Sequence, residues 1–215
     1  MILTPIPRDR LPAALDRFAA QLADLTARAA FAGIRTTSPD RAAGAEAERH
    51  RKAALDLARR CGVPAHPDGT DCGFNWDGTA LDPGTEAYVI LHEVAHYLLA
   101  SPERRGLVDF GLGPGPDTRD RAAAERAATV PVAEREADEA AASLLGILWE
   151  EALGQPALAS FLDQNWLEGL DRSAAAHFTA VVRRLTDLAL PSPCLLQDKI
   201  GNYKVYVVRD PLYLW

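Results

Sequence analysis

The sequence lacks any apolar run long enough to cross a membrane. A transmembrane helix needs about 20 predominantly apolar residues, and the longest candidate, residues 88–100, is interrupted by His92, Glu93 and His96. Residues 1–7 also lack the basic and then apolar order of a signal peptide. We therefore expect a cytoplasmic protein with no membrane partner.

Cysteine is scarce as well, and acidic residues outnumber basic ones. The three cysteines, Cys61, Cys72 and Cys194, are far apart and form no Cys-x-x-Cys pair, so a zinc site built from thiolates is not expected. The net charge is −7, which argues against a broad phosphate-binding surface and hence against a nucleic-acid partner. A protein or peptide substrate is compatible with this charge.

The chain does contain a series of helical patterns, and its 215 residues suit a single domain. We predict a mainly α fold with a small β element (α+β), in which residues 1–62 form a helical region, 63–190 a core and 191–215 an extended tail. Apolar spacing and helix-start signals predict helices over residues 9–30, 39–60, 85–100, 129–152, 156–168 and 172–189. The Gly- and Pro-rich segment 61–84 predicts turns and a small hairpin, and residues 203–208 have strand composition.

The most informative motif is His92-Glu93-Val94-Ala95-His96, which lies within the most apolar predicted helix. Side chains four residues apart share a helix face, about 5–6 Å apart at Cβ, so the two imidazoles are placed to bind one divalent ion. Glu93 borders the same face and is placed to take a proton from a water on the ion. We therefore predict a metalloenzyme in which Glu93 is catalytic.

A catalytic site of this kind usually has a third protein ligand and an open position. Our candidate is Glu134, on the predicted helix over residues 129–152, with Glu136 as the competing ligand. Asp138, one turn further on, is a candidate to accept the free N–H of a ligand histidine and hold its ring. His177 is expected to be a core or surface residue. The helix that carries the two histidines is predicted to pack against this glutamate-bearing helix.

Two resemblances follow from these motifs. The His-Glu-x-x-His motif with the later Glu134-x-x-x-Asp138 resembles the zinc peptidases that use a downstream glutamate ligand. Over about residues 90–120, including the Leu-Val-Asp-Phe-Gly run at 107–111 and the pair Arg104-Arg105, the chain is similar to the elongation factor P hydroxylase family. That resemblance implies a metal-dependent enzyme that hydroxylates a modified lysine of a translation factor, with a two-histidine, one-carboxylate site that also suits non-haem iron.

Two functions therefore stay open. The first is a hydroxylase with one iron ion that oxygenates a protein side chain, and the second is a zinc metallopeptidase or other hydrolase with Glu93 as the general base. A non-catalytic protein with a structural metal, or with none, is the third interpretation. Arg104, Arg105 and Asp109 are candidates either for contact with substrate or for ion pairs that position their loop.

Overall fold

The computed structural model describes residues 6–115, 118–167 and 173–188. The regular secondary structure in these ranges is helical, which confirms the mainly α class. No helix there combines the length and the apolar character that a bilayer span requires. The α-helices are α1 (Leu11–Gln21), α2 (Leu25–Arg35), α3 (Gly44–Arg60), α4 (Ala87–Leu99), α5 (Pro102–Arg105), α6 (Arg121–Ala127), α7 (Val132–Ala152), α8 (Ala157–Asp163) and α9 (Ala174–Thr186).

Extended pairing in the described ranges is limited to two isolated bridges, which join Leu81 to Ala65 and to Trp76. No longer strand pairing forms there; the antiparallel partners Trp76 and Leu81 are joined by a tight turn that begins at Asp77. The Asp77 carboxylate accepts hydrogen bonds from the backbone N–H groups of Thr79 and Ala80, at 2.8 and 3.0 Å. The predicted strand at 203–208 lies outside the described residues.

The single helix predicted over residues 9–30 is two helices. The chain leaves the helical conformation after α1, and Asp24 begins α2 by accepting a hydrogen bond from the N–H of Ala27 at 3.0 Å. Helix α3 begins at Gly44 rather than near residue 39, because Ser38 and Asp40 hydrogen-bond to each other in a turn. Side chains that hydrogen-bond to the local backbone thus set these helix boundaries, which the spacing of apolar residues does not reveal.

An aromatic cluster fills the junction of α1, α2, α8 and α9. Its ring centroids lie 4.7–6.4 Å apart in tilted, edge-on and stacked pairs, the arrangements that aromatic quadrupoles favour. Helix α7 contacts α2, α8 and α9 as well as α4. The cluster therefore holds α7 in place against α4. Its members are Phe18, Phe31, Phe161, Trp166 and Phe178.

The backbones of α4 and α7 approach closely at Gly146. A Cβ atom added to Gly146 would lie 3.3 Å from the backbone nitrogen of His92 and 3.4 Å from its Cα. Helix α4 buries Ile90, Leu91 and Val94 completely and also packs against α3. The helix that carries the two histidines is consequently held on two sides.

Candidate metal centre

The two motif histidines converge at the surface between α4 and α7. His92 and His96 lie one turn apart on α4, and their Nε2 atoms are 3.0 Å apart. The His96 side chain is only 5 % exposed, whereas that of His92 is 24 % exposed. The local helical spacing thus brings both imidazoles to one point with one face towards solvent.

The carboxylate that joins them comes from Glu139 of α7. Its Oε2 atom is 3.4 Å from the Nε2 atom of His92 and 3.4 Å from that of His96. These three atoms lie within 4.8 Å of one another, and half of the Glu139 side chain is exposed. A divalent ion with ligand bonds of about 2.0–2.2 Å separates its ligand atoms by about 3.0–3.5 Å, so the spacing fits a single ion.

The donor set also fits a catalytic ion better than a structural one. Closed structural zinc sites usually have four ligands and include thiolates, whereas catalytic sites keep a position open. Two imidazoles and one carboxylate suit either zinc or non-haem iron. His92, His96 and Glu139 are therefore the residues of the described chain that are arranged to hold an ion.

The structure does not bring Glu134 to the histidines. Glu134 lies in the first turn of α7 and is exposed, and Glu136 lines the nearby cavity but is not part of the three-residue group. With about 100° per residue, Glu139 shares the helix face of Gly146, which lies seven residues later, whereas Glu134 is turned about 120° away. Because α4 and α7 approach closely on the Gly146 face of α7, Glu139 is the glutamate that reaches the histidines.

Burial and the mutual charges perturb all three groups. Burial opposes ionisation of Glu139, but hydrogen bonds with His92 and His96 outweigh it and hold the pKa of this carboxyl far below its usual range. Burial also lowers the pKa of His96, with a further contribution from His92. For His92, the hydrogen bond with Glu139 and the charge of Glu93 outweigh burial, so its pKa is raised. The carboxylate is thus ionised at neutral pH, as ligation requires.

Glu93 lies beside this group, only 8 % exposed. Burial raises the pKa of Glu93 to about 7, although His92 opposes the rise; the charges of Asp109 and Glu139 add to it, and a hydrogen bond with Asn75 opposes it. A carboxyl group with a pKa near neutrality both accepts and releases protons readily at neutral pH. The position fits the expected proton-transfer role, which stays a prediction.

An aromatic stack orients the His96 ring. The ring of Phe110 lies between His96, at 5.5 Å and 26°, and the indole of Trp76, at 5.0 Å and 11°. Phe110 belongs to a turn over Val108–Gly111 in which Asp109, Phe110 and Gly111 all have positive φ, at 46°, 54° and 70°. Two non-glycine residues in this conformation are costly and are held by their surroundings.

Trp76 supplies much of that support. Its indole N–H donates to the carbonyl of Arg105 at 3.0 Å, and its own carbonyl accepts from the N–H of Asp109 at 3.1 Å. The sequence of the surrounding segment predicts turns and a small hairpin, with no role in the site. The sequence signal for such a role is the high density of aromatic and turn-forming residues in Phe74-Asn75-Trp76-Asp77.

The arginine pair positions the same loop. Arg104 donates to the carbonyl of Phe110 at 2.9 Å and to Asp138 at 2.7 Å. Arg105 donates to the carbonyl of Tyr97 at 2.8 Å, and its guanidinium lies 4.6 Å from the centroid of that ring. These contacts fit the loop-positioning alternative for both arginines.

Asp138 does not make the predicted hydrogen bond with a histidine ring. Its two carboxylate oxygens bind Arg104 at 2.7 Å and Arg184 at 2.8 Å, because the residue after it, not Asp138 itself, faces α4. Although burial opposes ionisation, these arginines lower the pKa of Asp138. Asp138 still acts on His96 through its charge, which favours the protonated imidazole.

A cavity of about 460 Å³ adjoins the three ligand atoms. Its lining includes Glu93 and Asp109, and also Trp166 and His177, whose stacked ring centroids lie 5.2 Å apart. His177 is half-buried, lines the cavity and is not part of the three-residue group. The volume is in the range of small-molecule and side-chain binding sites.

The comparison with known families agrees with this location. The sequence model of the elongation factor P hydroxylase family matches residues 86–144. This match confirms the resemblance found around residues 90–120 and extends it from the start of α4 into α7, so that it includes both histidines and Glu139. Neither a curated protein nor a solved structure matches the chain. The match favours an enzyme of the hydroxylase type.

Proposed function

We propose that this protein is a hydroxylase that uses one divalent metal ion, preferably iron, to oxygenate a side chain of a protein substrate, as elongation factor P hydroxylases do. The observation that carries the proposal is the convergence of His92, His96 and Glu139 on one point beside a cavity, inside the segment that matches that family. The cytoplasmic location expected from the sequence stays a prediction.

Each residue of the site has a separate role in this proposal. His92, His96 and Glu139 hold the ion, which when bound supplies activation of dioxygen. Phe110 keeps the His96 ring in its plane by stacking on it. Glu93 holds or releases a proton at its carboxyl oxygen next to His92, and the Asn75 side chain orients that carboxyl group.

The cavity beside the metal ligands would bind the substrate side chain. Trp166 and His177 form an aromatic wall, and the indole of Trp166 is fixed by a hydrogen bond to the hydroxyl of Ser143 at 2.8 Å. A rigid apolar wall positions an extended side chain and excludes water from its reacting end. A protein side chain that enters from solvent would reach the ion along this wall.

A zinc-dependent hydrolase is the second candidate, and the position of Glu93 favours it. A buried carboxyl group one residue from a ligand histidine, with a pKa raised to about 7, suits a general base that takes a proton from a zinc-bound water. Under this alternative Glu93→Gln would abolish peptide cleavage while the metal content stays unchanged.

Metal analysis of matched variants tests the ligand set. Glu139→Gln should lower metal affinity at least tenfold, because the loss of a group that merely orients a metal ligand already costs about 10–100-fold. Glu134→Gln, an exposed glutamate on the same helix, is the matched control and should retain the metal. Loss of metal from the Glu134 variant alone would make Glu134 the third ligand and contradict the role given to Glu139.

The reaction type needs a separate measurement. Purified protein loaded with iron(II) and supplied with a two-electron reductant such as ascorbate should consume dioxygen in the presence of elongation factor P. The factor should gain the mass of one oxygen atom, and the second oxygen atom should leave as water. Zinc in the purified protein, together with peptide cleavage that does not depend on oxygen, would select the hydrolase instead.

A further inference from the structure

The guanidinium of Arg41 connects α4 to α8 with both its edge and its face. Its Nη1 donates to the hydroxyl of Ser160 at 2.7 Å, and its Nε and Nη2 donate to Oδ2 of Asp163 at 3.1 and 2.8 Å. The face of the same group lies over the ring of Tyr88, with Cζ 3.7 Å from the ring centroid. Ser160 and Asp163 belong to α8, and Tyr88 belongs to α4.

Both of these contacts lead directly to the lining of the cavity. Tyr88 lines the cavity and lies one helical turn before His92 on α4. Asp163 is the last residue of α8, and the three residues that follow it, 164–166, line the cavity as well. Arg41 itself is not among the described residues that line the cavity. It therefore supports two parts of the lining from behind.

The turn after α8 needs such support. Asn165 has a φ of 61°, in the left-handed region that residues with a side chain rarely adopt, and such a conformation persists only where its surroundings hold it. The N–H of Trp166 donates to the carbonyl of Phe161 at 3.1 Å, and Arg41 holds Asp163 at the start of the turn. The place of the Trp166 indole in the cavity thus depends on how this turn is fixed.

The arrangement requires an arginine rather than any cation. A planar guanidinium can stack on a ring and donate several hydrogen bonds in its own plane, whereas a lysine ammonium is a point charge that cannot do both. Oε1 of Glu150, whose side chain is only 3 % exposed, lies 3.6 Å from Nη1 of Arg41. Arg41 consequently also supplies the positive charge beside a buried carboxyl group of α7.

We propose that Arg41 is a positioning residue for substrate binding, a role that rests on the proposed function. It holds Tyr88 and the turn after α8 in one arrangement, so the cavity is already shaped when the substrate enters and less ordering is needed on binding. None of its described contacts involves the three candidate metal ligands. Arg41 and α8 also lie outside residues 86–144, which match the hydroxylase family.

Steady-state kinetics with elongation factor P test this role. In Arg41→Ala, KM should rise at least about fivefold while kcat and metal content stay within about twofold, as expected when binding is lost equally from ground and transition states. Arg35→Ala is the matched control, because Arg35 is 34 % exposed against 32 % for Arg41 and its ion pair, with Asp16, lies outside the cavity lining. An unchanged KM in Arg41→Ala, or a loss of metal from it, would overturn the proposal.

Fluorine NMR gives a second readout that needs no turnover. The chain has four tryptophans, and in protein labelled with 5-fluorotryptophan the variants Trp166→Phe and Trp76→Phe identify two of the resonances. Arg41→Ala should shift or broaden the Trp166 resonance and leave that of Trp76, which stacks on Phe110, unchanged. An unmoved Trp166 resonance would contradict the positioning role. A moved one in protein that never turns over elongation factor P would support that role and argue against the proposed function.

Two further variants separate charge from geometry and guard against misfolding. Arg41→Lys keeps a positive charge near Glu150 but lacks the planar group, so the raised KM and the moved Trp166 resonance should both persist. Full recovery with lysine would show that charge alone suffices and would overturn the proposal. If Arg41→Ala does not fold, the same substitution is made together with Glu150→Gln, which removes the buried acid that would lack a cation. That double variant should show the same rise in KM relative to Glu150→Gln alone.

Discussion

The guanidinium of Arg104 lies 2.7 Å from the carboxylate of Asp138, and this ion pair connects the two halves of the site. Asp138 precedes the ligand candidate Glu139 on α7. On the other side, Arg104 donates to the carbonyl of Phe110 at 2.9 Å, and the Phe110 ring stacks on His96. One side chain therefore couples the position of the carboxylate helix to the orientation of a histidine ring.

We predict that Arg104→Ala lowers both metal affinity and stability. The pair is only about one-fifth exposed, so loss of one partner leaves a largely buried carboxylate with one fewer hydrogen bond, at a cost of about 1–3 kcal/mol. Metal titration should show weakening of about tenfold. Arg184→Ala is the matched control, because Arg184 binds the other oxygen of Asp138 but has no described contact with Phe110. Equal metal affinities in the two variants would contradict the coupling.

The close contact at Gly146 gives a second prediction. Gly146→Val should push α4 away from α7, because even a Cβ atom would lie 3.3 Å from the backbone nitrogen of His92. Overpacking of this kind costs about 1–3 kcal/mol, and the shift would separate the histidines from Glu139. Thermal unfolding and metal titration should both show a loss. Gly146→Ala should be milder, because alanine regains about 1 kcal/mol of helix propensity.

Trp76 has two separable roles. Trp76→Phe removes the hydrogen bond to the carbonyl of Arg105 but keeps a ring against Phe110, and we expect a loss of about 1 kcal/mol in the free energy of unfolding. Trp76→Leu removes the stack as well and should also weaken metal binding. Denaturant unfolding together with metal titration distinguishes them. Wild-type metal affinity in the leucine variant would show that the stack does not orient His96.

Glu150 makes the stability of the fold depend on pH. It lies at the buried end of α7, and burial raises its pKa to about 7 from an ordinary value of 4.5. Since the folded pKa is the higher one, Glu150 favours the folded state when it is protonated, and this contribution is lost as the pH rises from about 4.5 through 7. The shift corresponds to a change on the order of 3 kcal/mol.

Glu150→Gln should remove this component. Between pH 5 and 8 its unfolding temperature should fall less than that of the unmodified protein, and at pH 8 the variant should be the more stable of the two. Glu134→Gln, at the exposed start of the same helix, should follow the unmodified protein. Parallel curves for all three proteins would mean that the Glu150 carboxyl group is not linked to folding.

Sequence patterns predicted the parts of the site that depend on one helix alone. The convergence of His92 and His96 follows from helical periodicity, and α4 and α7 begin and end close to their predicted limits. The position of Glu139, rather than Glu134, beside the histidines depends on how α7 is rotated against α4. That rotation is set by the packing of the two helices and does not follow from the sequence of either helix alone. Gly146 carried that information, because a glycine within an apolar helix often marks a close backbone contact.

The loop that surrounds the site could not be derived in the same way. The left-handed turn at Asp109 and Phe110 contradicts local backbone preferences, and it persists because Trp76, more than 30 residues earlier in the sequence, packs against it. The small β element was expected because segment 61–84 has the turn residues of a hairpin. Those residues instead produced a loop with two isolated bridges.

Because the candidate ligand atoms are divided between α4 and α7, metal binding at this site would be linked to folding. An unfolded chain keeps His92 and His96 near each other but separates them from Glu139 by the whole of segment 97–138, so a complete set of donors exists only in the native state. An ion that binds the native state alone shifts the unfolding equilibrium by about 2.7 kcal/mol at a hundredfold excess over its dissociation constant. Scarcity of the ion in the cell would then reduce the amount of folded protein together with its activity.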